Sequence, residues 1–326
     1  MELSILNNRI DVHMPIQIKS LLDQIGRTED IRFSEDKTRV AIAGFIKNYC
    51  LILKIQIESD NSKPILKVLG SIKITSRNLK HPHGIEFIGN DYLIAANRTG
   101  SVEIFDIRHI SFNDQTVDLK PISSIQRAGL FRRINSPGSV AILNRDNDNV
   151  EILVCNNYGN KITHHRFPLK RGLSFIKNKV FLYKGLKVPD GIAITHDKKW
   201  LAISNHYTNS VLIFDLSSYL SRNTEHVGEL INSGYPHGIR FTKDGCKMFV
   251  ADAGSPYVYE YQNANNSWKG TFEPKAKYKV LTEDAFLKGR SNLEEGGPKG
   301  IDIIEDASIF AISNEETPFD LFHFKF

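Results

Sequence analysis

The chain has few cysteines, no long apolar run and no convincing amphipathic helix. Its three cysteines are Cys50, Cys155 and Cys246, and an odd number at equivalent-looking strand positions does not suit a disulfide framework. No apolar stretch approaches the length of a membrane span, and residues 1–4 lack the basic start of a signal peptide. These absences predict a soluble cytoplasmic protein without a membrane partner.

Charge of either sign is not concentrated anywhere. The 42 basic and 37 acidic residues give a net charge of +5, spread along the chain. This distribution favours a solvated mixed surface over a surface for an anionic partner. A nucleic-acid partner is not expected either, because no helical or aromatic-basic recognition module is present. Residues 18–25 are the only candidate helix, and a doubtful one.

What the chain does contain is a Pro-x-Gly-like turn followed by strand-like runs, repeated six times. The Ile or Val after each turn falls at positions 31, 85, 140, 192, 239 and 301, so successive spacings are 54, 55, 52, 47 and 62. A period near fifty residues with strands and no helices is typical of a propeller.

Each unit has the alternation of four strands. The fourth unit, for example, predicts strands A to D at residues 192–195, 200–204, 210–216 and 226–231. The predicted fold is therefore an all-β, six-bladed propeller of four-stranded antiparallel blades, which begin near residues 28, 82, 137, 189, 236 and 298. Residues 1–326 would form a single domain.

The sixth unit stops after its third strand, near residues 320–325. An unpaired outer edge would invite association, and propellers protect their edges by closing the ring. We therefore expect residues 2–22 to supply the missing outer strand of the last blade.

Residues just before each innermost strand should converge on the propeller axis. They are Glu29, His83, Gly138, Asp190, His237 and Lys299. With six blades, Glu29 would face Asp190 and His83 would face His237. A histidine before a strand is often only scaffold, but charge clustered at a desolvated axis is costly unless a metal or substrate compensates it. We favour a central functional site.

Strand B runs antiparallel to strand A, so its end returns to the same face. The six residues there form a candidate substrate pocket: Gly44, Asn97, Asn156, Asn205, Asp252 and Asn314. Just beyond them lie Arg98, Asn157, His206 and Glu315. Because Asn and Asp are also common hairpin residues, a turn-forming role is the alternative. We expect Arg98 and His206 to face the pocket.

At these residues the chain resembles the paraoxonase/arylesterase propellers, and more loosely the gluconolactonase and strictosidine-synthase-like propellers. The resemblance rests on Thr-Glu-Asp-Ile at 28–31, Pro-His-Gly-Ile at 82–85 with Ala-Asn at 96–97, and Pro-Asp-Gly-Ile at 189–192. It implies a six-bladed fold with an axial calcium ion that assists hydrolysis of lactones and esters.

Carried over residue by residue, the resemblance makes Glu29 an axial calcium ligand and Asp30 the ligand of a second, structural calcium. Asp190 stands where the family usually has a liganding Asn. His83 matches one member of the family's histidine dyad, while Arg98 stands where the other is expected. The chain departs from the pattern at residues 138–139 and 237–238, where Gly-Ser and His-Gly replace acidic and amide ligands.

Three outcomes for the metal stay open. A weak calcium site could survive on Glu29 and Asp190, although calcium prefers six to eight oxygens. Adding His83 and His237 would give a mixed set suited to zinc, iron or manganese. With no metal, Lys299 and Arg98 would neutralise the carboxylates. We rank calcium first.

The predicted function is hydrolysis of a lactone or ester by an enzyme whose dependence on a metal is one of the open outcomes above. His83 would transfer the proton, and Arg98 and Lys299 would polarise the carbonyl. Glu29, Asp190 and His237 would hold a divalent metal. The alternatives are a non-catalytic binding or scaffold propeller and a small-molecule biosynthetic enzyme. In each case the partner would be a small molecule, and the sequence does not indicate an oligomeric state.

Overall fold

The structure is a computed structural model that describes residues 1–60, 63–129, 132–169, 177–290 and 292–325. In these ranges the strands form six β-sheets, arranged as the blades of a propeller, and a separate two-stranded ribbon. The predicted all-β, six-bladed propeller is confirmed. Within the described ranges, neither α-helix is long and apolar enough to cross a membrane, and all three cysteines are free.

The first half of the chain forms the N-terminal segment, three blades and the ribbon. The N-terminal segment contains β1 (Glu2–Ser4), β2 (Val12–His13) and α1 (Ile16–Asp23). Blade one contains β3 (Thr28–Phe33), β4 (Arg39–Gly44), β5 (Tyr49–Asp60) and β6 (Lys63–Thr75). Blade two contains β7 (Pro82–Ile88), β8 (Tyr92–Asn97), β9 (Ser101–Asp106) and, after β10 (Gln115–Asp118), β11 (Ser123–Ile125). The ribbon contains β12 (Arg127–Ala128) and β13 (Arg132–Arg133). Blade three contains β14 (Pro137–Arg145), β15 (Asn149–Asn156), β16 (Lys161–Pro168) and β17 (Lys177–Leu182).

The second half forms the remaining blades. Blade four contains β18 (Pro189–Ile194), β19 (Trp200–Asn205), β20 (Ser210–Asp215) and β21 (Gly228–Leu230). Blade five contains β22 (Pro236–Phe241), β23 (Lys247–Asp252), β24 (Tyr257–Gln262) and, after β25 (Gly270–Phe272), β26 (Ala276–Lys279). Helix α2 (Glu283–Lys288) precedes blade six, which contains β27 (Gly300–Ile304), β28 (Ile309–Ser313) and β29 (Asp320–His323). Strands β10 and β25 extend the outer edges of blades one and four.

The core lies between the blades. Six apolar clusters are buried, and each joins two neighbouring blades. In one of them the ring of Phe249 on blade five packs edge-on against Phe310 on blade six, with centroids 5.7 Å apart. The strands bury both faces because each sheet is covered on both sides, so apolar burial holds the blades around the axis.

The glycine of the repeated turn lets the inner strands approach closely. A Cβ on Gly84 would lie 2.3 Å from the carbonyl oxygen of Gly138, and one on Gly191 would lie 2.0 Å from that of His237. A Cβ on Gly238 would lie 2.4 Å from the carbonyl oxygen of Lys299. No side chain fits at these distances, and the residue before each glycine is thereby held at the axis.

The N-terminal segment closes the ring, as expected for residues 2–22, by contacting three blades. Strand β1 pairs with β26 of blade five, and β2 pairs with β6 of blade one, both in parallel. Between them Arg9 bridges Phe322, and the Ile10 amide donates to the Leu321 carbonyl of blade six at 2.9 Å. The contact with the last blade is thus a bridge and not a full strand. The doubtful helix at residues 18–25 is α1.

Candidate functional site

His237 lies between two buried carboxylates at the axis. Its Nε2 is 2.9 Å from Asp190 Oδ2 and 3.4 Å from Glu29 Oε2. All three side chains are buried. Burial alone would lower the pKa of His237, but the charges of Asp190 and Glu29 outweigh it and raise the pKa to about 9. The imidazole is therefore charged at neutral pH.

His83 is in the opposite state. Its Nδ1 lies 3.0 Å from the carbonyl oxygen of Gly138, and a carbonyl only accepts, so Nδ1 carries the proton and Nε2 a lone pair. Burial and the charge of Arg98 lower the pKa of His83 to about 3. Nε2 has no hydrogen-bond partner among the described residues and lies 3.5 Å from Glu29 Oε2. Two electron-rich atoms thus face each other.

The Asp190 carboxylate lies close to the side chains that follow strand B in three blades. Asn157 donates to Asp190 Oδ1 at 2.7 Å, Arg98 lies 3.6 Å from the same oxygen, and His206 Nε2 lies 3.4 Å from Oδ2. Burial would raise the pKa of Asp190, but His237 and its other cationic neighbours hold it well below the usual range. A Cβ on Gly138 would lie 2.4 Å from both Asp190 Oδ1 and Asn157 Oδ1, so only glycine leaves room for this contact.

Lys299 is fully buried and its ammonium group contacts three carboxylates. Nζ lies 3.3 Å from Glu29, 2.9 Å from Glu295 and 2.9 Å from Glu315. Burial would lower its pKa, but Glu29 and Glu295 raise it above the usual value. Lys299 therefore balances the charge of these carboxylates. Its predicted role in polarising the substrate carbonyl stays a prediction.

Arg27 and Glu295 belong to the same network but were missed from the sequence. Arg27 contacts Glu29 and lies 3.2 Å from Glu295 and 3.3 Å from Glu315, with its guanidinium over the Phe45 ring. The available signal was spacing: Arg27 lies two residues before Glu29, just ahead of β3, and Glu295 precedes Lys299 by four residues.

The candidate substrate-pocket ring at the ends of strand B bonds mainly to backbone. In four blades its side-chain oxygen accepts from the amide two residues before the proline that begins the same blade: Asn97 from Lys80, Asn156 from Asn135, Asn205 from Lys187 and Asp252 from Gly234. Asn314 accepts from the amides of Glu316 and Thr317. These bonds favour the turn-forming alternative. The residues one position later, Arg98, Asn157, His206 and Glu315, are those that face the axis.

The buried polar atoms at the axis fit a metal ion. Two groups could hold one, Glu29 with His83 and His237, and Asp190 with His206 and His237, each with ligand atoms within 4.8 Å of one another. His83 Nε2 and His206 Nε2 make no hydrogen bond within the described residues, and the oxygens that they face, Glu29 Oε2 and Asp190 Oδ2, have His237 as an ionic partner at those atoms. Unpaired buried polar atoms are costly, and a cation would compensate them.

A cavity of about 450 Å³ opens beside this cluster. Its lining includes Val188, His206, Tyr207, Gly234, Tyr235 and Glu294. His206 is only 3% exposed and stacks on Tyr235, with ring centroids 4.2 Å apart. Because His206 also lies next to Asp190, it joins the cavity to the buried cluster. Tyr207 and Tyr235 were not predicted, although each lies within two residues of a repeated motif residue.

Comparison with known proteins supports the fold alone. No family model and no curated protein matches the chain. A solved protein of unknown function from Desulfotomaculum acetoxidans is 15% identical with a TM-score of 0.54, over 88% of this chain and 79% of that one. Two proteins named putative 6-phosphogluconolactonases, from Bacteroides uniformis and Bacteroides fragilis, are 11% and 13% identical. Each has a TM-score of 0.51, over 87% of this chain and 76% of the other.

Proposed function

We propose that the chain is a small-molecule hydrolase that opens a lactone or ester at the axial cluster. The observation that carries the proposal is His206, which connects a cavity large enough for a small molecule to buried imidazoles and carboxylates. The similarity in fold to proteins named as lactonases agrees with this reaction class. A small-molecule ligand and a cytoplasmic location belong to the same proposal.

The donor set favours a divalent transition metal over calcium. Glu29 and His83 face each other at the axis, Asp190 lies near His83, and His237 could join after losing its proton. Two imidazoles with two carboxylates suit zinc, iron or manganese, whereas calcium prefers oxygen ligands only. Such a metal would supply Lewis-acid polarisation of the substrate carbonyl.

His206 is the best-placed group for proton transfer. It reaches the cavity, and the Asp190 carboxylate beside Nε2 orients the ring. The Tyr235 ring packs against the imidazole at an angle of 36° and restricts its movement. His83, our candidate from the sequence, is buried away from this cavity lining and suits a ligand role better.

The deciding experiment combines metal content with an activity panel. Purified protein is analysed for metals, stripped with chelator, and assayed on aliphatic lactones, aromatic lactones and aryl esters with zinc, manganese, iron(II) or calcium supplied. We expect turnover that returns with one of the transition metals. Inactivity across the whole panel with every metal would refute the hydrolase.

A metal-free binding propeller is the second candidate, because the axial charges balance without an ion. Four cationic groups face four carboxylates: Arg27, Arg98, His237 and Lys299 against Glu29, Asp190, Glu295 and Glu315. The backbone bond of His83 also fits a structural centre. Protein that contains no metal and whose melting temperature responds to none would favour this reading.

A further inference from the structure

A second cavity, of about 420 Å³, lies between blade two and the ribbon, and is lined mainly by polar and cationic side chains. Four of these are basic: Arg77, Lys80, Arg127 and Arg133. They come from two separate segments, one leading into blade two and one forming the ribbon. Thr99, which follows the axial residue Arg98, lines the same cavity. The second cavity is therefore close to the axial cluster but is lined by different residues.

Three of these cations have no acidic partner. Within the described ranges, no carboxylate lies at ion-pair distance from Arg77, Lys80 or Arg133. An anion bound in the cavity would accept charge-assisted hydrogen bonds from these side chains.

One acidic side chain also reaches the cavity. Glu103 on β9 is 1% exposed, and its Oε1 accepts from the Ser124 hydroxyl at 3.0 Å. Its Oε2 has no hydrogen-bond partner in the described part of the chain. A buried carboxyl oxygen without a partner is suited to accept from a ligand hydroxyl. The wall therefore has cations for an anionic group and an acceptor for a neutral polar group.

We propose that this cavity binds a small phosphorylated molecule that carries hydroxyl groups. The arginines and Lys80 contact the phosphate, since guanidinium groups match its geometry, and Glu103 accepts from a hydroxyl. The cavity volume is in the range of small-molecule sites. This site is separate from the axial cluster, and the proposal does not depend on the proposed hydrolase activity.

The test is isothermal titration calorimetry on the full chain with ribose 5-phosphate as probe and ribose as the neutral control. We expect ribose 5-phosphate to bind and ribose not to bind. The double variant Arg77→Gln/Arg133→Gln should weaken binding at least about tenfold, because two charge-assisted contacts with the phosphate are lost. Arg222→Gln, which removes an exposed cation on blade four, should leave binding unchanged.

Three results with ribose 5-phosphate would overturn the proposal. They are no binding at millimolar concentration, equal binding by the double variant, and loss of binding in His206→Gln, which would place the phosphate in the axial cavity. A single-stranded oligonucleotide that binds while ribose 5-phosphate does not would also reject a small-molecule site. Circular dichroism of each variant shows whether the fold is retained, and a second pair, Lys80→Gln/Arg133→Gln, replaces the first if it is not.

Discussion

His237 Nε2 lies 2.9 Å from Asp190 Oδ2, so an imidazolium from blade five is paired with a carboxylate from blade four in the buried axis. Removing one partner of such a pair leaves an uncompensated charge, which costs about 3–5 kcal/mol. Asp190→Asn and His237→Gln should each destabilise the metal-free protein by this order, measured by urea unfolding at pH 7. The double variant should cost less than the two single costs combined, and additivity within about 0.5 kcal/mol would contradict a direct pair.

The buried carboxylates and imidazoles at the axis predict that a bound metal ion stabilises the protein. Zinc or manganese at a hundredfold excess over Kd should stabilise the native state by about 2.7 kcal/mol and raise Tm, whereas calcium should have little effect. Glu29→Gln should abolish the response. His164→Gln is the matched control, because His164 pairs with Glu151 at 2.8 Å on blade three, away from the axis. A calcium-specific shift would restore the oxygen-ligand interpretation.

The two histidine roles can be separated by kinetics once a substrate is known. His206→Gln should lower kcat by roughly 10²-fold or more, the scale for loss of a general acid or base, and added metal should not restore it. His83→Gln should lose activity through weaker metal binding, so excess metal should restore part of it. Arg98→Ala should show a further loss if its charge stabilises the transition state. Full activity of His206→Gln would reject our assignment.

The side chains at the axis could be predicted from the sequence because the repeated turn places them there. Gly84 and Gly191 allow the neighbouring inner strands to approach closely. The repeated Pro-x-Gly turn is the pattern in the sequence that predicts this approach. The position before each glycine must then point to the centre, so His83 and Asp190 could be found from spacing alone. Glu29, which Asp30 follows, could be found from the same register, two residues before Ile31.

The second ring could not be resolved in the same way. Asn97 bonds to Lys80 and Asn205 to Lys187, backbone groups in the preceding interblade segments, and these bonds turn the next side chain towards the axis. The repeated sequence pattern predicts neither the path of these interblade segments nor the hydrogen bonds that they form. Arg27 meets Glu295 across 268 positions of sequence, a contact that depends on closure of the ring.

The N-terminal segment should be essential to stability because it contacts blades five, six and one. Deleting residues 1–13 should lower Tm strongly and expose the edge of β29 to association, which size-exclusion chromatography would detect. Arg9→Ala is the matched control. Its ion pair with Asp320 is 2.9 Å long but Arg9 is 45% exposed, so the cost should stay below about 1 kcal/mol. A monomeric deletion variant with unchanged Tm would show that closure does not need this segment.

Glu86 predicts a loss of stability as pH rises. The side chain lies 3.4 Å from Arg32 Nε in a second charged cluster. Burial nevertheless raises its pKa to about 8, with the Asp302 carboxylate acting in the same direction. The native state therefore holds this proton more tightly than the unfolded state, whose carboxyl titrates near its ordinary value of about 4.3. Below about pH 4.3 the titration of Glu86 does not change the free energy of unfolding. As pH rises from there towards 8, it lowers the free energy of unfolding and so destabilises the protein.

Replacing Glu86 by glutamine should remove this dependence. Because 22% of the side chain is exposed, the penalty at pH 8 is reduced by solvent to the order of 2 kcal/mol. Urea unfolding from pH 5 to 9 should show a falling curve for the native chain and a flatter one for Glu86→Gln, with the variant more stable at pH 8. Glu35→Gln, at a side chain that is 75% exposed, should follow the native curve. Parallel curves for the native chain and Glu86→Gln would mean that Glu86 is ionised in the folded protein at neutral pH, with Arg32 strong enough to offset its burial.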